Sequence, residues 1–262
     1  MILKEIRDRQ PLVHCLTNYV VANFTANGLL AVGASPVMAD EVEELDDIVA
    51  IADAVLLNIG TLNTRTRESM VVAGMKANER NIPVVLDPVG VGASAFRKKM
   101  VSYLLKQVQV DLIRCNKGEL AFLAESQTWQ AKGVDSGKGD LDVVAAAKFV
   151  ALKYSCLVAV TGAEDVVTDG NQVRVVKGGS IQMTEVTGTG CLLGALTAAT
   201  LTITGNQLDH LTDVLKAYKE VARVAHERTK YLGMFQIEVL NQLNLQSKEK
   251  QNECSDDYSG IR

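Results

Sequence analysis

The sequence predicts an α/β fold built on a mostly parallel β-sheet, and two observations support this prediction. Short apolar segments alternate with amphipathic segments through the middle of the chain. The apolar segments, such as residues 54–59 and 83–88, form continuous runs and do not alternate between apolar and polar residues. Continuous apolar strands are typical of a parallel sheet that is covered on both faces. We therefore expect helices on both sides of the sheet.

The first fifty residues are predicted to form three helices and two strands. Residues 2–9 are amphipathic, and Pro11 ends this helix. Asn18 is placed to cap the next helix, which extends to Val32, because its side chain can accept hydrogen bonds from unpaired N–H groups. An acidic first turn favours a third helix at residues 41–51. The two apolar strands are residues 12–17 and 34–39.

The middle of the chain shows the alternation of strands and helices most clearly. The predicted strands are 54–59, 83–88, 111–115 and 156–161, and the predicted helices are 65–80, 94–108, 117–125 and 141–154. The apolar face of the second of these helices begins at Phe96 and continues through Met100. Arg97 lies off this face. Residues 126–140 are polar and contain three glycines, so we expect a loop or a mobile flap there.

The C-terminal third departs from this alternation. Residues 166–176 predict a β-hairpin, because Asp-Gly-Asn at 169–171 is a strong turn sequence between two apolar runs. Helices follow at 188–204, 209–231 and 236–245. The tail from Ser247 is polar and is predicted to be disordered. We therefore predict one domain over residues 1–246 and a tail over residues 247–262.

The composition argues against several classes of protein. The 262 residues are 47% hydrophobic, which is sufficient for a sizeable core. The formal net charge of −4 provides no basic footprint, so we expect no nucleic-acid binding. No apolar run approaches the ~20 residues that span a bilayer, and the mixed-charge N-terminus does not resemble a signal peptide. Five cysteines without paired metal spacing favour a reducing, cytoplasmic location.

A glycine-rich turn at residues 187–190 leads directly into an apolar helix. Gly188 and Gly190 allow a ligand to approach the backbone closely. The unpaired N–H groups of the first helical turn then form an anion site, for which phosphate is the usual ligand. Cys191 lies in this turn, where the helix dipole is expected to lower the pKa of its thiol. The stretch matches neither common phosphate fingerprint, so it can also be a turn that only begins a core helix, with Cys191 as a small buried hydrophobic residue.

Polar residues follow the apolar strands at the end where open parallel sheets bind ligands. Asp87 ends the most apolar strand, and its carboxylate is suited to hold Mg²⁺. The alternative is that Asp87 only caps a turn that Pro88 enforces. Asn116 and Glu119 have the spacing of a capping box, and Glu119 can at the same time lie beside a metal and phosphates.

The three histidines do not indicate a nucleophilic site. His14 lies within an apolar strand and is interpreted as a core residue, whereas His210 and His226 belong to the amphipathic C-terminal helix. No spacing supports a Ser-His-Asp or Cys-His arrangement, so acyl transfer is disfavoured.

Five segments form a recognisable set: residues 23–30, 33–38, 58–62, 87–93 and 186–193. Together they resemble the hydroxyethylthiazole kinase family of the ribokinase-like superfamily. The resemblance implies a three-layer αβα sandwich with a mostly parallel central sheet, a C-terminal β-hairpin and C-terminal helices. It implies Mg²⁺-assisted transfer of the γ-phosphoryl group of ATP to the hydroxyl of 4-methyl-5-(2-hydroxyethyl)thiazole, in thiamine biosynthesis. It also implies a homotrimer with active sites at subunit contacts.

The resemblance assigns roles to individual residues in four groups. The expected substrate contacts are Met38, Gly188 and Asn18. The expected ATP contacts are Arg114, Thr161 and Asn116. The expected metal ligands are Asp87 and Glu119. The expected catalytic groups are Cys191, facing the substrate hydroxyl, and Gly188, Thr189 and Gly190.

The sequence departs from the family pattern at three places. Cys115 stands in place of glycine, Thr189 in place of alanine, and residues 232–235 in place of a turn richer in glycine and proline.

One alternative to the thiazole kinase is another ribokinase-like enzyme, such as a hydroxymethylpyrimidine kinase or an ADP-linked hydrolyase of damaged nicotinamide nucleotides. The other is a non-catalytic sensor that binds a nucleotide or a thiazole. Cys191 and the Ala-Ser-Pro-Val-Met sequence favour the thiazole kinase.

Overall fold

The computed structural model describes residues 1–125, 130–132, 136–138 and 141–248. The strands within those residues are β1 (Leu12–Leu16), β2 (Ser35–Val37), β3 (Ala54–Asn58), β4 (Val84–Asp87), β5 (Leu112–Asn116), β6 (Gln130–Lys132), β7 (Ser136–Lys138), β8 (Leu157–Thr161), β9 (Asp165–Thr168) and β10 (Val173–Val176). The helices are α1 (Ile2–Arg9), α2 (Ala22–Ala31), α3 (Leu45–Ile51), α4 (Thr64–Glu79), α5 (Ala95–Gln107), α6 (Lys117–Leu123), α7 (Val143–Tyr154), α8 (Thr189–Leu201), α9 (Gln207–Arg228) and α10 (Leu232–Lys248).

The central sheet is mostly parallel, as predicted. In the described part of the chain its strand order is β10-β9-β8-β5-β4-β3-β1-β2. All neighbours from β8 to β2 are parallel. At the other edge β9 and β10 form the predicted antiparallel hairpin. Strands β6 and β7 pair separately; the rest of the predicted loop at 126–140 lies outside the described residues.

The sheet lies between two layers of helices because its strands bury both faces. Leu56 and Val85 point into the core that contains α1, α2, α8, α9 and α10. The alternating neighbours Val55 and Leu86 point into the core formed with α3 to α7. Since both faces are covered, strands without polar alternation are the expected sequence pattern. The three-layer αβα arrangement is therefore confirmed.

Helix α8 lies at the centre of the molecule. It packs on β1, β3 and β4 from one side and on α2 and α9 from the other. Every residue from 192 to 201 is buried, which explains why the helix is apolar all around. Helix α2 approaches it closely: a β-carbon at Gly28 would stand 2.1 Å from Leu192. The prediction of a buried helix after the glycine-rich turn is thus confirmed.

Three local predictions are corrected by the structure. Helix α2 begins at Ala22 without a side-chain cap, so Asn18 does not cap it; Asn18 is turned towards the carboxyl ends of the strands instead. Phe96 is 46% exposed, because the buried face of α5 begins only at Met100. Residues 42–44 form a 3₁₀ turn ahead of α3.

The C-terminal end of the described chain extends the domain slightly. Helix α10 continues to Lys248, two residues past the predicted end of the domain. The predicted tail beyond it lies outside the described residues. None of the helices in the described ranges combines the length and the apolar character needed to cross a bilayer.

Candidate active site

The carboxyl ends of four neighbouring strands meet the N-terminus of α8. Strand β3 ends at Asn58, β4 at Asp87, β5 at Asn116 and β8 at Thr161. Because these strands are parallel, their last residues share one edge of the sheet. This edge is where open α/β sheets bind ligands, so the predicted site residues on different strands are brought together.

A chain of hydrogen bonds connects the first turn of α8 to Asp87. The side-chain amide of Asn18 donates to Sγ of Cys191 at 3.6 Å and to Oδ1 of Asn58 at 2.9 Å. Asn58 in turn donates to Oδ2 of Asp87 at 2.7 Å. Asn18, Asn58 and Asp87 are all buried. The side chain of Asp87 is therefore held by the site, and the interpretation that it only caps a turn is wrong.

Arg114 lies beside Asp87 and holds Thr161. Its guanidinium donates to Oγ1 of Thr161 at 2.7 Å and reaches Oδ1 of Asp87 at 3.4 Å. Burial alone would lower the pKa of Arg114, but the carboxylates of Asp87 and Glu119 raise it above its usual value. Within the described residues, Nε of Arg114 is buried and has no hydrogen-bond partner. Arg114 is thus a permanent positive charge with a free donor beside the first turn of α8.

Glu119 is both a helix cap and a buried carboxylate of the site. Its backbone N–H donates to Oδ1 of Asn116 at 2.9 Å, and its Oε2 accepts from the N–H of Asn116 at 2.8 Å, which confirms the capping box. Its other oxygen accepts from the N–H of Gly90 at 2.9 Å. Burial and the nearby carboxylate of Asp87 raise the pKa of Glu119 to about 7. Burial likewise raises the pKa of Asp87, although Arg114 and Asn58 counteract the shift.

The glycine-rich turn presents the N-terminus of α8 to this cluster. Gly188 begins the helix at φ = 95°, a conformation that favours glycine, and a β-carbon there would stand 2.8 Å from Val21. The hydroxyl of Thr189 donates to the carbonyl of Met183 at 2.7 Å, so this side chain fixes the turn. The hydroxyl of Tyr218 donates to the carbonyl of Thr189 at 2.8 Å.

The thiol of Cys191 is less acidic than the sequence predicted. Burial raises its pKa to about 11, and the carboxylate of Asp87 adds to this shift. Arg114 and the amides of Asn58 and Asn18 counteract it only in part. The prediction of a lowered pKa is wrong because burial outweighs the neighbouring groups that lower the pKa. Cys191 is therefore protonated at neutral pH.

Comparisons with known proteins agree over almost the whole chain. A model of the "Hydroxyethylthiazole kinase family" matches residues 3–249. A hydroxyethylthiazole kinase from Lysinibacillus sphaericus is 53% identical over 254 residues, which cover 97% of this chain and 99% of that protein. The chain belongs to the hydroxyethylthiazole kinase family. It is thus a member of a family of enzymes with kinase activity.

Solved structures support the same assignment. The structure of a hydroxyethylthiazole kinase protein from Pyrococcus horikoshii OT3 has a TM-score of 0.84 at 42% identity, and the match covers 93% of this chain and 91% of that one. A ribokinase-like superfamily protein from Enterococcus faecalis V583 has a TM-score of 0.68 at 12% identity. The second likeness shows the fold alone. The ribokinase-like fold of this family member is therefore established.

Two carboxylates of this family member are suited to a magnesium ion shared with phosphates. Among the described residues no group of three or more His, Cys, Asp or Glu side chains could hold a metal. Mg²⁺ usually needs only one or two carboxylates together with substrate phosphates and water. Asp87 and Glu119 are buried, and the carboxylate of Asp87 raises the pKa of Glu119, so a cation beside them would relieve this repulsion. The donor set therefore fits Mg²⁺.

Met38 lies apart from the hydrogen-bonded cluster. It follows β2 directly, is half-buried, and packs against the core that contains α8. Its thioether is only a weak hydrogen-bond acceptor, and among the described residues it forms no hydrogen bond with the polar cluster. Its placement at the same edge of the sheet suits an apolar contact.

Two residues beside the candidate site, Asn58 and Lys219, had no role in the predictions from the sequence. Asn58 begins the segment 58–62 that resembles the family but was given no role of its own, and it links Asn18 to Asp87. Lys219 forms an ion pair with Asp165 at 3.1 Å and donates to the carbonyl of Gly162 at 3.1 Å, next to Thr161. These partners are far apart in sequence, so the spacing within one helix or strand does not reveal the contacts.

The histidines lie in structural positions. Nε2 of His14 donates to the carbonyl of Ala39 at 2.8 Å, and burial lowers the pKa of His14. His226 contacts Gln182 at 2.9 Å. The interpretation of His14 as a core residue is confirmed.

Proposed function

We propose that the chain transfers the γ-phosphoryl group of ATP to the hydroxyl of 4-methyl-5-(2-hydroxyethyl)thiazole, a step of thiamine biosynthesis. Family membership over almost the full length supports this substrate pair. The observation that carries the proposal is the cluster at the N-terminus of α8. There Arg114 and Asp87 adjoin Gly190 and Cys191, the residues that the family pattern places around the substrate hydroxyl and the phosphates.

Positioning and charge stabilisation supply most of the rate of phosphoryl transfer, because its transition state is loose. The N–H groups of Gly188, Thr189 and Gly190 would stabilise negative charge on the transferred group, with Arg114 beside them. Asn116 and Thr161 would lie along the ATP side of the site. A bound nucleotide would also give Nε of Arg114 a hydrogen-bond acceptor, which the described residues do not provide.

Cys191 does not act as the base in this proposal. Its thiol stays protonated at neutral pH, since its pKa is about 11. It would contact the substrate hydroxyl, together with the amide of Asn18, and so orient the attacking oxygen. Asp87 is the anionic group whose charge acts on this thiol, and it is the better acceptor for the proton of the hydroxyl.

Asp87 and Glu119 would hold Mg²⁺ together with the phosphates of ATP. The ion would neutralise charge on the phosphates and fix their position. Asn58 and the N–H of Gly90 would keep the two carboxylates in place.

We further propose that the active form is a homotrimer in the cytoplasm, with the thiazole pocket completed at a subunit contact. Tyr19 is 78% exposed and Val20 is 61% exposed, and both directly follow Asn18 in the site. Large apolar side chains beside a substrate pocket are suited to be covered by a neighbouring subunit. Met38, Gly188 and Asn18 would form the part of the pocket that each subunit supplies. Sedimentation equilibrium would test the trimer, and a monomer that is fully active would contradict it.

A coupled assay of ADP release tests the reaction. The assay contains Mg-ATP with or without the thiazole alcohol, and mass spectrometry identifies the product. Thiazole-dependent ADP release with a phosphorylated thiazole is the expected result. Turnover only with hydroxymethylpyrimidine, or only with a damaged nicotinamide nucleotide, would instead indicate a neighbouring enzyme family. ATP binding without turnover of any substrate would indicate a sensor.

A further inference from the structure

Arg97 joins two loops that border the active site. It lies in the first turn of α5, and its guanidinium Nη1 donates to the carbonyl of Ile59 at 2.7 Å and to the carbonyl of Val89 at 2.7 Å. The other terminal nitrogen donates to the carbonyl of Gly60. Ile59 and Gly60 follow β3, and Val89 follows β4, so one side chain fixes the exits of both central strands.

The same two peptide units hold site residues through their N–H groups. The peptide between Ile59 and Gly60 accepts from Arg97 and donates its N–H to Oδ1 of Asn58 at 3.0 Å. The peptide between Val89 and Gly90 accepts from Arg97 and donates its N–H to Oε1 of Glu119 at 2.9 Å. We call these the two bridging peptides. Arg97 therefore lies one peptide group away from both Asn58 and Glu119.

Both bridging peptides end in a glycine that the geometry requires. A β-carbon at Gly60 would stand 2.6 Å from the side-chain nitrogen of Asn18. Gly90 has φ = 65°, in the left-handed region that favours glycine. The loops thus lie tightly against the site, and their orientation determines where Asn58 and Glu119 point.

Helix stability does not explain this placement of Arg97. Ser94 already caps α5 by accepting from the N–H of Arg97 at 3.2 Å. A positive side chain in the first turn is disfavoured by the helix dipole. The guanidinium also loses solvation at this position, and this burial lowers the pKa of Arg97. The compensating interactions are the bonds to the bridging peptides.

We propose that Arg97 is a positioning residue for phosphoryl transfer: it orients the two bridging peptides and, through them, Asn58 and Glu119. This inference rests on the proposed function, because it assumes that Glu119 holds Mg²⁺ and that Asn58 fixes Asp87. Each bridging peptide is polarised by the cation at its carbonyl, which strengthens the bond that its N–H donates. Partners that orient metal ligands typically contribute 10–100-fold to metal affinity or activity.

The test compares Arg97→Gln and Arg97→Lys with wild type. Glutamine can reach one carbonyl at most, and lysine retains the charge but lacks the planar fork that spans two loops. We expect Arg97→Gln to lower kcat by about 10- to 100-fold, with the KM for the thiazole unchanged and Arg97→Lys intermediate. The Mg²⁺ concentration for half-maximal activity should rise by a similar factor.

A second readout does not depend on turnover. Mg-ADP should raise the Tm of wild type more than that of either Arg97 variant, because the variants hold Glu119 less firmly. Lys99→Met serves as the matched control, since Lys99 is an exposed cation two residues away on the same helix. It should match wild type in kcat, in Mg²⁺ dependence and in the Tm shift.

The outcomes separate this inference from the proposed function. Wild type without thiazole phosphorylation would contradict the proposed function, and the Tm shift would then still report on Arg97. Folded Arg97 variants with wild-type kcat and a wild-type Tm shift would overturn the positioning role. If Arg97→Gln does not fold, Arg97→Lys decides: wild-type behaviour in both readouts overturns the role, and a loss in both supports it.

Discussion

The guanidinium of Arg114 lies directly against the backbone of Gly190, where a β-carbon would stand 2.6 Å from Nη2. Arg114 cannot move aside freely, because it is buried and holds Thr161 and Asp87. The first turn of α8 therefore packs directly against the charged cluster, and no room for another atom is left between them. A methyl group at position 190 forces one of them to shift.

Gly190→Ala is expected to lower kcat by about 100-fold, because a displacement near 1 Å at a reacting group has that effect. Steady-state kinetics with Mg-ATP and the thiazole would measure it. Gly233→Ala is the matched control: no atom lies within 4 Å of a β-carbon there. It should keep wild-type kcat and add up to about 1 kcal/mol of stability. Equal activity of the two variants would contradict the contact.

Cys191→Ala is expected to lower kcat by less than about tenfold, whereas removal of a true general base costs about 100-fold or more. The reason is that a thiol of pKa about 11 is protonated at neutral pH. Cys156→Ala, at a buried cysteine on the other face of the sheet, controls for loss of packing and should change only Tm. A loss of 100-fold in Cys191→Ala, together with a pH–rate profile that follows the thiol, would restore the role of base.

The pKa of Glu119 predicts how stability depends on pH. Since folding raises this pKa from 4.5 to about 7, the folded protein binds the proton more tightly than the unfolded chain. The contribution of Glu119 is therefore fully present at low pH and is lost as pH rises through about 7. Tm measured against pH without divalent cations should show this decline, and Glu119→Gln should reduce it.

Mg²⁺ should reverse this pH dependence of stability, because a carboxylate must be deprotonated to bind a metal. We expect Mg-ADP to raise Tm more at about pH 8 than at about pH 6. Proton release on binding, measured by calorimetry in two buffers, provides an independent check. A Tm shift that does not change with pH would argue against Glu119 as a ligand.

Lys219→Met is expected to lower the free energy of unfolding by about 3 kcal/mol, since it leaves Asp165 buried without its partner. The ion pair is 12% and 5% exposed, and Lys219 also holds the loop after β8. The KM for ATP should rise as that loop loosens beside Thr161. Lys216→Met removes an exposed pair on the same helix and should stay within about 0.5 kcal/mol of wild type. Urea denaturation of both variants would measure the difference.

Much of the fold could be predicted because its signals are local. Apolar runs and helical spacing lie within ten to twenty residues, so the strands and helices appear close to their predicted bounds. Because parallel strands end at one edge of the sheet, Asp87 and Thr161 were also expected to share that edge, and they do. The exposure of Phe96 was missed because helical spacing does not tell where a helix leaves the core.

The remaining features depend on contacts between distant segments. Asn18 was predicted to cap a helix, but its partners Asn58 and Cys191 are 40 and 173 residues away. Arg97 was placed only off the apolar face of its helix, and its acceptor Ile59 is 38 residues away. The pKa of Cys191 depends on burial, which the sequence of one turn does not reveal. Such relationships need the tertiary structure.

The burial of α8 on every side has a consequence for the dynamics of the site. Backbone amides in the best-packed helix of a domain exchange their hydrogens with solvent only through opening of the whole domain. Binding loops usually belong to the least protected part of a protein, but here the turn that we propose to bind phosphate is continuous with a helix that is buried on every side. Slow amide exchange should therefore begin within a turn of Gly190. Ligand entry then depends on motion of the surrounding loops, while the helix itself stays fixed.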